Sequence, residues 1–316
     1  VLEILEELKS RKQANMMAAG DTVAALRAMA YFSETAQISE LTGGLPCYRM
    51  LEEYTADYEG KKEELMRKLA VLAKCIFRPE NLMVDITAGE EGFDRIKDLV
   101  PKMKAKLFTE PVKKEPFRLV PEKRNEGFST SAQVQYVCRA GDFTKGTDYK
   151  YTGALKVLKV ILGYDYFWLN VRVKGGAYGC ACNFTRMGDS YFVSYRDPNL
   201  SKTIDVFERA SSYLREFIAD ERTMTKYIIG AISDMDVPLT PAGKGARSAA
   251  AYLTNTDFAE VQKERDEVLS CSQEDIRALA GYLDAIIGQD IVCVVGNSQA
   301  IEENKDIFMN VENLFH

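Results

Sequence analysis

The stretch VRVKGGAYGCACNF, from Val171 to Phe184, decides the fold, because an apolar helical run meets a pair of glycines and then an alternating strand. Upstream, residues 164–173 (YDYFWLNVRV) carry aromatic and aliphatic side chains at helical spacing, which places Arg172 at or near a helix C-terminus. Downstream, the spacing is two residues, and one strand face is shared by Tyr178, Cys180, Cys182 and Phe184.

Gly175 and Gly176 let the backbone adopt positive φ and reverse tightly between the helix and the strand. Arg172 and Tyr178 can therefore be aimed at a common point. A guanidinium and a phenol are hydrogen-bond donors suited to holding a peptide carbonyl or a developing oxyanion. On spacing alone, however, an arginine followed by a glycine-rich turn and a tyrosine is more often structural than catalytic.

The run RVKGGAYG at residues 172–179 resembles the signature in the C-terminal half of the pitrilysin/insulinase family of zinc peptidases, particularly its presequence-protease-like branch. SYFVSYRDPNLSKTIDVF, residues 190–207, is similar to the strand, Asp-Pro turn and helix that follow the motif in that family. The resemblance extends closely from residue 127 to the C-terminus and more loosely over the first hundred residues. It implies catalytic roles for Arg172 and Tyr178 and substrate-binding roles for Gly175 and Gly176.

The chain departs from this family in its histidines. The family carries an inverted His-x-x-Glu-His motif on a helix of the N-terminal half, with two zinc ligands and a general base. Here the sequence has one histidine, His316, and no His-based zinc site can be built from it. The resemblance therefore implies that zinc is bound by an N-terminal half outside this chain and that this chain alone is inactive. Val1 begins within a helical pattern and without Met, so we expect the chain to be part of a longer protein.

Composition limits the classes of function. A chain of 316 residues with 46% hydrophobic residues is long enough for two domains. The net charge of −6 gives no electrostatic footprint for nucleic acid, and no apolar run approaches the ~20 residues of a membrane helix. Seven scattered cysteines, an odd number, indicate free thiols in a reducing compartment, so we predict a cytoplasmic protein, with an organelle matrix as the alternative.

The sequence predicts an α+β chain in three parts. Residues 1–108 are mostly helical, with breaks near Gly20 and Gly43 and one strand from Asn81 to Thr87. Residues 109–126 are a linker, because three prolines at intervals of five favour an extended connection. Residues 127–316 form a complete domain with a mainly antiparallel sheet and helices packed on one face.

Within this last part, alternation predicts one strand from Phe128 to Cys138 and a hairpin from Cys182 to Tyr195. A helix at 150–162 should stop at Gly163. One long helix is expected over 204–218. Further helices are predicted at 223–235, 241–253 and 272–287, followed by a strand at 290–295 and a short helix.

Two pairs of segments indicate an internal repeat. Residues 72–96 and 283–304 share a helix, a strand, a glycine turn and a helix, and ALRAMAYFSET at 25–35 echoes ARSAAAYLTNT at 246–256. The first 108 residues would then be the trailing part of a pitrilysin-like domain whose complete copy is 127–316. Duplicated halves are also what the family resemblance implies.

Other candidate sites have simpler interpretations. Cys180 and Cys182 fit half of a soft-metal site, but no second Cys or His pair is near in sequence, and small apolar strand residues are the better interpretation. Neither glycine-rich segment, at 175–179 or 241–248, matches a phosphate-binding loop. Trp168, the only tryptophan, is most simply a core residue whose packing fixes Arg172.

We therefore predict the C-terminal half of a zinc endopeptidase that degrades unstructured peptides inside a closed chamber. Its partners would be the N-terminal catalytic half of the same polypeptide and the peptide substrate, with no nucleic acid and no membrane. The alternative is a non-catalytic relative that serves as a scaffold or binds a partner, in which Arg172 and Tyr178 make only internal contacts. A third hypothesis is an unrelated small-molecule-binding domain.

Overall fold

Six strands form one sheet at the centre of the computed structural model, which describes residues 1–113 and 117–315. The strands are β1 Glu126–Thr130, β2 Tyr136–Asp142, β3 Gly179–Phe184, β4 Asp189–Tyr195, β5 Ile291–Asn297 and β6 Asn310–Asn313. Their order in the sheet is β3-β4-β2-β5-β1-β6. β2 is antiparallel to β4 and β5, β3 is antiparallel to β4, and β1 is parallel to β5 and β6. The sheet is mainly antiparallel, as the sequence predicts.

Helices make up most of the remaining chain. Their bounds are α1 Leu2–Ala18, α2 Gly20–Met29, α3 Glu34–Gly43, α4 Leu45–Ala56, α5 Tyr58–Ile76, α6 Glu90–Lys97, α7 Leu99–Lys104, α8 Ala154–Ile161, α9 Ser201–Glu208, α10 Ala210–Arg215, α11 Glu221–Met235, α12 Pro241–Thr254, α13 Phe258–Leu269, α14 Gln273–Ala278, α15 Ala280–Ile287 and α16 Ser298–Glu303. Two π-helical segments, Leu162–Tyr166 and Trp168–Val173, continue α8. Among the described residues, no helix is both long and apolar enough to cross a membrane.

The two faces of the sheet bury different cores. Because side chains alternate along a strand, Val137 and Val294 face a core shared with α8, α9, α10 and α15. Their neighbours Cys138 and Cys293 face the opposite core. All helices from residues 127–316 that pack on the sheet therefore lie on one face, in agreement with the predicted architecture.

Helices from the N-terminal segment cover the second face. The side chains of Ala24, Ala25 and Ala28 on α2 are buried against β2, β4 and β5. Small alanine side chains let this helix approach the sheet closely. The first 56 residues thus share a core with the C-terminal sheet, and the domain boundaries drawn from the sequence stay a prediction.

Two strand predictions were wrong. The predicted strand from Phe128 to Cys138 is two strands, β1 and β2, because β5 lies between them and residues 131–135 make the connection. Hydrogen bonds from the Ala132 amide to Thr130 Oγ1 and from Asn297 Nδ2 to the Ala132 carbonyl oxygen fix this connection.

The predicted strand from Asn81 to Thr87 is also absent: residues 82–89 form neither helix nor strand. A strand needs a neighbouring strand for its backbone hydrogen bonds. Residues 81–87 pair with neither edge strand of the described sheet, β3 or β6. The helices that flank this segment, α5 and α6, match the repeat, but its strand does not. The internal duplication therefore stays a prediction supported by its helical parts alone.

The helix predictions were more accurate, with three differences. The helix that begins with α8 does not stop at Gly163, because Leu162, Phe167 and Val171 continue its buried face to residue 173. The long helix predicted over 204–218 is interrupted at Arg209 and ends at Arg215. The helix predicted at 272–287 is interrupted at Leu279 and forms α14 and α15. Two elements, α13 and β6, were not predicted.

The predicted linker, residues 109–126, has no regular structure in its described part except at Glu126, which begins β1. Residues 108–113 and 117–125 form neither helix nor strand, and residues 114–116 of the prediction lie outside the described residues. At its end, Asn125 donates from Nδ2 to the Asp290 carbonyl oxygen and accepts from the Val292 amide, which fixes the start of β1 beside β5.

Candidate functional site

The turn after the π-helical segment is an αL C-cap motif, in which left-handed Gly176 bonds back four residues to Arg172. The Ala177 amide donates to the Val171 carbonyl oxygen at 3.1 Å, and the Gly176 amide donates to the Arg172 carbonyl oxygen at 2.9 Å. This pair of hydrogen bonds, with a left-handed residue at Gly176, satisfies the last carbonyls of a helix. Val171 and Ala177 are both buried in the same core, and a contact of this kind commonly accompanies the motif. The motif fixes Arg172 in the last helical turn.

The two glycines of the motif are required for different reasons. Gly176 has φ of 83°, a left-handed conformation that side chains disfavour. Gly175 has no positive φ, but a Cβ atom there would lie 2.4 Å from the Val171 carbonyl oxygen. The sequence prediction of positive φ is thus correct for Gly176 only, and Gly175 is needed for close approach of the backbone.

The Asp-Pro turn after β4 supports the glycine pair from the other side. Asn199 donates from Nδ2 to the Gly175 carbonyl oxygen at 2.6 Å. The buried carboxylate of Asp197 holds the turn by accepting from the Asn199 amide at 2.9 Å and from Thr203 Oγ1 at 2.6 Å. Burial raises the pKa of Asp197, although these hydrogen bonds oppose the shift. The substrate-binding role of Gly175 and Gly176 stays a prediction.

Arg172 and Tyr178 lie side by side on an open surface. The guanidinium carbon of Arg172 is 4.0 Å from the centroid of the Trp168 ring and 5.6 Å from the centroid of the Tyr178 ring. Tyr178 is 66% exposed. Within residues 1–113 and 117–315, no carboxylate lies within ion-pair distance of Arg172 and neither side chain has a hydrogen-bond partner. Their donors are free for a ligand, and their catalytic role stays a prediction.

The prediction that Trp168 is a core residue was wrong. Its side chain is 40% exposed and stacks on Arg172. The reason lies in the π-helical turns, in which the amide of residue i donates to the carbonyl of residue i−5, as between Lys174 and Leu169. In such wide turns, residues four and five positions apart lie on the same side of the helix. Trp168 therefore lies with Arg172 on the side that faces solvent. Sequence periodicity read at 3.6 residues per turn does not detect this.

The cysteines near the site are free thiols that pack as small apolar residues. Cys182 is buried, and burial raises its pKa to about 12. Cys180 is partly buried, and burial raises its pKa to about 11 while the charge of Arg172 opposes the shift. Both thiols stay protonated at neutral pH, and a protonated thiol is a poor metal ligand.

The residues of this chain do not fit a zinc ion. Over the described ranges, no group of three or more His, Cys, Asp or Glu side chains is placed to hold a metal. The one histidine of the sequence, His316, lies outside them.

The comparisons with known proteins agree on one family. The model of the PreP C-terminal domain matches residues 125–298. Protein HypA of Clostridium perfringens is 36% identical over 314 residues, which cover 99% of this chain and 32% of that protein. Presequence protease 1, chloroplastic/mitochondrial, of Arabidopsis thaliana is 29% identical over 308 residues, which cover 95% of this chain and 28% of that protein. This chain thus spans about a third of the length of these relatives.

The fold is also shared with a solved peptidase. The crystal structure of pitrilysin superposes with a TM-score of 0.52 at 14% identity, covering 93% of this chain and 31% of that one. At this identity the likeness concerns the fold alone. Together with the match over residues 125–298, it confirms the family expected from the sequence. The chain belongs to the pitrilysin/insulinase family, in the branch that carries the PreP C-terminal domain.

Proposed function

We propose that this chain is the C-terminal part of a zinc-dependent endopeptidase that degrades unstructured peptides inside a closed chamber. The observation that carries the proposal is the pair formed by half-buried Arg172 and exposed Tyr178, whose donors have no partner among the described residues. Relatives of about three times this length include a presequence protease. Zinc, its ligands and the general base would belong to the rest of the longer protein, because residues 1–113 and 117–315 offer no donor set for them.

The proposed role of the pair is to bind the substrate carbonyl and to stabilise the negative charge that develops on its oxygen. A guanidinium fixed by a ring stack and a helix end needs little reorganisation to donate to that oxygen, which is the condition for strong electrostatic stabilisation. The free edge of β3, which begins directly after Tyr178, would let the substrate add a strand to the sheet. Such pairing would bring a peptide carbonyl close to both donors.

The test is the Tyr178→Phe variant of the full-length protein, because it removes one hydroxyl and little volume. Losing one donor of this kind lowers kcat by about 10²–10³ fold, or roughly 2.7–4 kcal/mol of transition-state stabilisation. Arg172→Lys should also lower kcat, because it keeps the charge and loses the planar fork. The assay is turnover of a quenched-fluorescence peptide, with a thermal melt of each variant.

Tyr252→Phe is the matched control, since Tyr252 is 79% exposed on α12 and its change should leave turnover at the parent rate. A Tyr178→Phe variant that melts normally and turns over like the parent would contradict the catalytic role. That result would favour the alternative, a non-catalytic scaffold in which the stack of Trp168, Arg172 and Tyr178 is only an internal contact.

A further inference from the structure

A cavity of about 480 Å³ lies between the first four helices, α1 to α4. Its larger wall side chains are mostly apolar and include Leu8, Met16, Val23, Leu26, Met50 and Leu51. Other wall positions have small side chains or none, at Ala19, Gly43, Gly44 and Cys47, and this lack of bulk leaves the space between the helices. Sites for small molecules typically have volumes of about 300–1,000 Å³, mostly apolar walls and a few polar groups.

One wall residue of the cavity is a buried carboxylate, Glu40, which is 3% exposed. Its Oε1 atom accepts from the Leu45 amide at 3.2 Å and from Arg27 Nη1 at 3.4 Å. Its Oε2 atom accepts no hydrogen bond from any described residue. Gly44 makes room for this oxygen, because a Cβ atom there would collide with it. The cavity wall therefore contains a buried acceptor that is unused.

The negative charge of Glu40 is only partly balanced. Arg27 lies closer to the Glu126 carboxylate, at 2.6 Å, so that two carboxylates share one guanidinium. Burial raises the pKa of Glu40, and the charge of Arg27 opposes this shift without cancelling it. A positively charged group in the cavity would gain a charge-assisted hydrogen bond with the unused oxygen, away from competing water.

Two cations of α1, Arg11 and Lys12, also line the cavity, and both are more exposed than Glu40. Arg11 has neither an ion pair nor a hydrogen bond within the described ranges. Lys12 donates to the Gly43 carbonyl oxygen, and no described carboxylate lies within ion-pair distance of it. The more exposed part of the wall thus carries unpaired positive charge, which suits a carboxylate.

We infer that the cavity binds a short apolar zwitterion, with its ammonium group at Glu40 and its carboxylate at Arg11 and Lys12. An amine alone would satisfy Glu40 but be repelled by the two cations, and an anion alone would leave the Glu40 oxygen unused. The apolar body between the two charged ends would be buried against the leucine, valine and methionine side chains of the wall. Short apolar peptides and ω-amino acids belong to this class. Binding at this cavity would be independent of the proposed function, because it uses neither Arg172 nor Tyr178.

The test is isothermal titration calorimetry of the full-length protein with three probes that share one carbon chain: ω-aminooctanoate, octylamine and octanoate. The zwitterion should bind at one site, and each probe with a single charge should bind about tenfold more weakly, because a charge-assisted hydrogen bond is lost. None of the probes contains a peptide bond, so hydrolysis does not contribute to the signal.

Two variants assign the ends of the ligand. Glu40→Gln should weaken ω-aminooctanoate about tenfold and should not weaken octanoate. Arg11→Gln should weaken both probes that carry a carboxylate and should not weaken octylamine. The matched controls are Glu34→Gln on α3 and Arg67→Gln on α5, since both residues are exposed and neither lines the cavity. A thermal melt verifies that each variant is folded.

Three results would overturn the inference. The first is the absence of saturable heat with ω-aminooctanoate. The second is equal affinity for ω-aminooctanoate and octanoate with no effect of Glu40→Gln, which would indicate a nonspecific anion site. The third is binding to the 316-residue chain that is lost in the full-length protein, because another part of that protein would then fill the cavity. Tyr178→Phe should leave all three titrations unchanged, so failure of the zwitterion site and failure of the proposed function are distinguishable.

Discussion

The buried ion pair between Arg27 and Glu126 gives a quantitative test of how the first 56 residues join the sheet. Arg27 lies on α2, and its Nε and Nη2 atoms donate to the Glu126 carboxylate on β1 at 2.6 and 3.0 Å. Their side chains are 13% and 4% exposed. Tyr31 also donates its hydroxyl to Glu126, at 2.7 Å. Burial is the largest effect and opposes the charge on Arg27, but hydrogen bonding to Glu126 together with the charges of Glu126, Tyr31 and Glu40 outweighs it, so the pKa of Arg27 is raised.

We expect Arg27→Met to lower the free energy of unfolding by about 3–5 kcal/mol, because it leaves the Glu126 carboxylate buried without a counter-charge. Met preserves most of the apolar stem that packs over the Tyr31 and Phe128 rings. The double variant Arg27→Met/Glu126→Gln should be more stable than the single one, since a neutral amide still accepts from Tyr31 and only Glu40, the second carboxylate paired with Arg27, is left without its partner.

The measurement is urea unfolding of the parent and the two variants, followed both by circular dichroism and by Trp168 fluorescence. Since Trp168 lies far along the chain in the C-terminal part, the two signals should move together if one cooperative unit unfolds. A loss below about 1 kcal/mol for Arg27→Met would refute the argument from burial. A shift seen by circular dichroism and not by fluorescence would show that the N-terminal helices unfold separately.

Three further results are expected. Burial raises the pKa of Glu40 above its ordinary value of 4.5. The stability that this pKa shift contributes to the folded state is fully present below pH 4.5 and is lost as pH rises through the raised pKa. Glu40→Gln should therefore raise Tm at pH 7 and lose this advantage near pH 4; an equal gain at both pH values would contradict the shift. Gly175→Ala should lower Tm and change the emission of Trp168, because its Cβ would lie 2.4 Å from the Val171 carbonyl oxygen, whereas Gly163→Ala, with open space around its Cβ, should do neither. The chain alone should bind no stoichiometric zinc, because it lacks a suitable donor set over the described ranges, and elemental analysis showing one tightly held zinc per chain would refute this.

Local patterns predicted the parts of the fold that depend on neighbours in sequence. The hairpin of β3 and β4 follows from alternation on both sides of Gly188, and the tight turn at the end of the π-helical segment follows from the glycine pair after an apolar helical run. The position of α2 on the second face of the sheet could not be predicted in this way. It depends on contacts between residues such as Arg27 and Glu126, which are 99 positions apart.

Two wrong predictions have a common cause: a sequence pattern does not show which other segment of the chain it pairs or packs with. Residues 81–87 alternate like a strand, but the described sheet offers them no neighbouring strand. Trp168 belongs to an apolar run, but the wider turns of the π-helical segment place it outside the core. Both depend on backbone hydrogen bonding that composition and spacing do not specify.

The stack of Trp168 on Arg172 explains how the chain can hold a half-buried cation without an ion pair to any described carboxylate. A cation–π contact uses the flat face of the guanidinium. The five N–H donors of an arginine lie in its plane, so stacking fixes the group and leaves these donors unoccupied. A carboxylate partner would fix the guanidinium equally well, but a ligand would then have to break the ion pair before it could bind. The π-helical turns therefore support the proposed role of Arg172, because they bring a ring, rather than a carboxylate, against it.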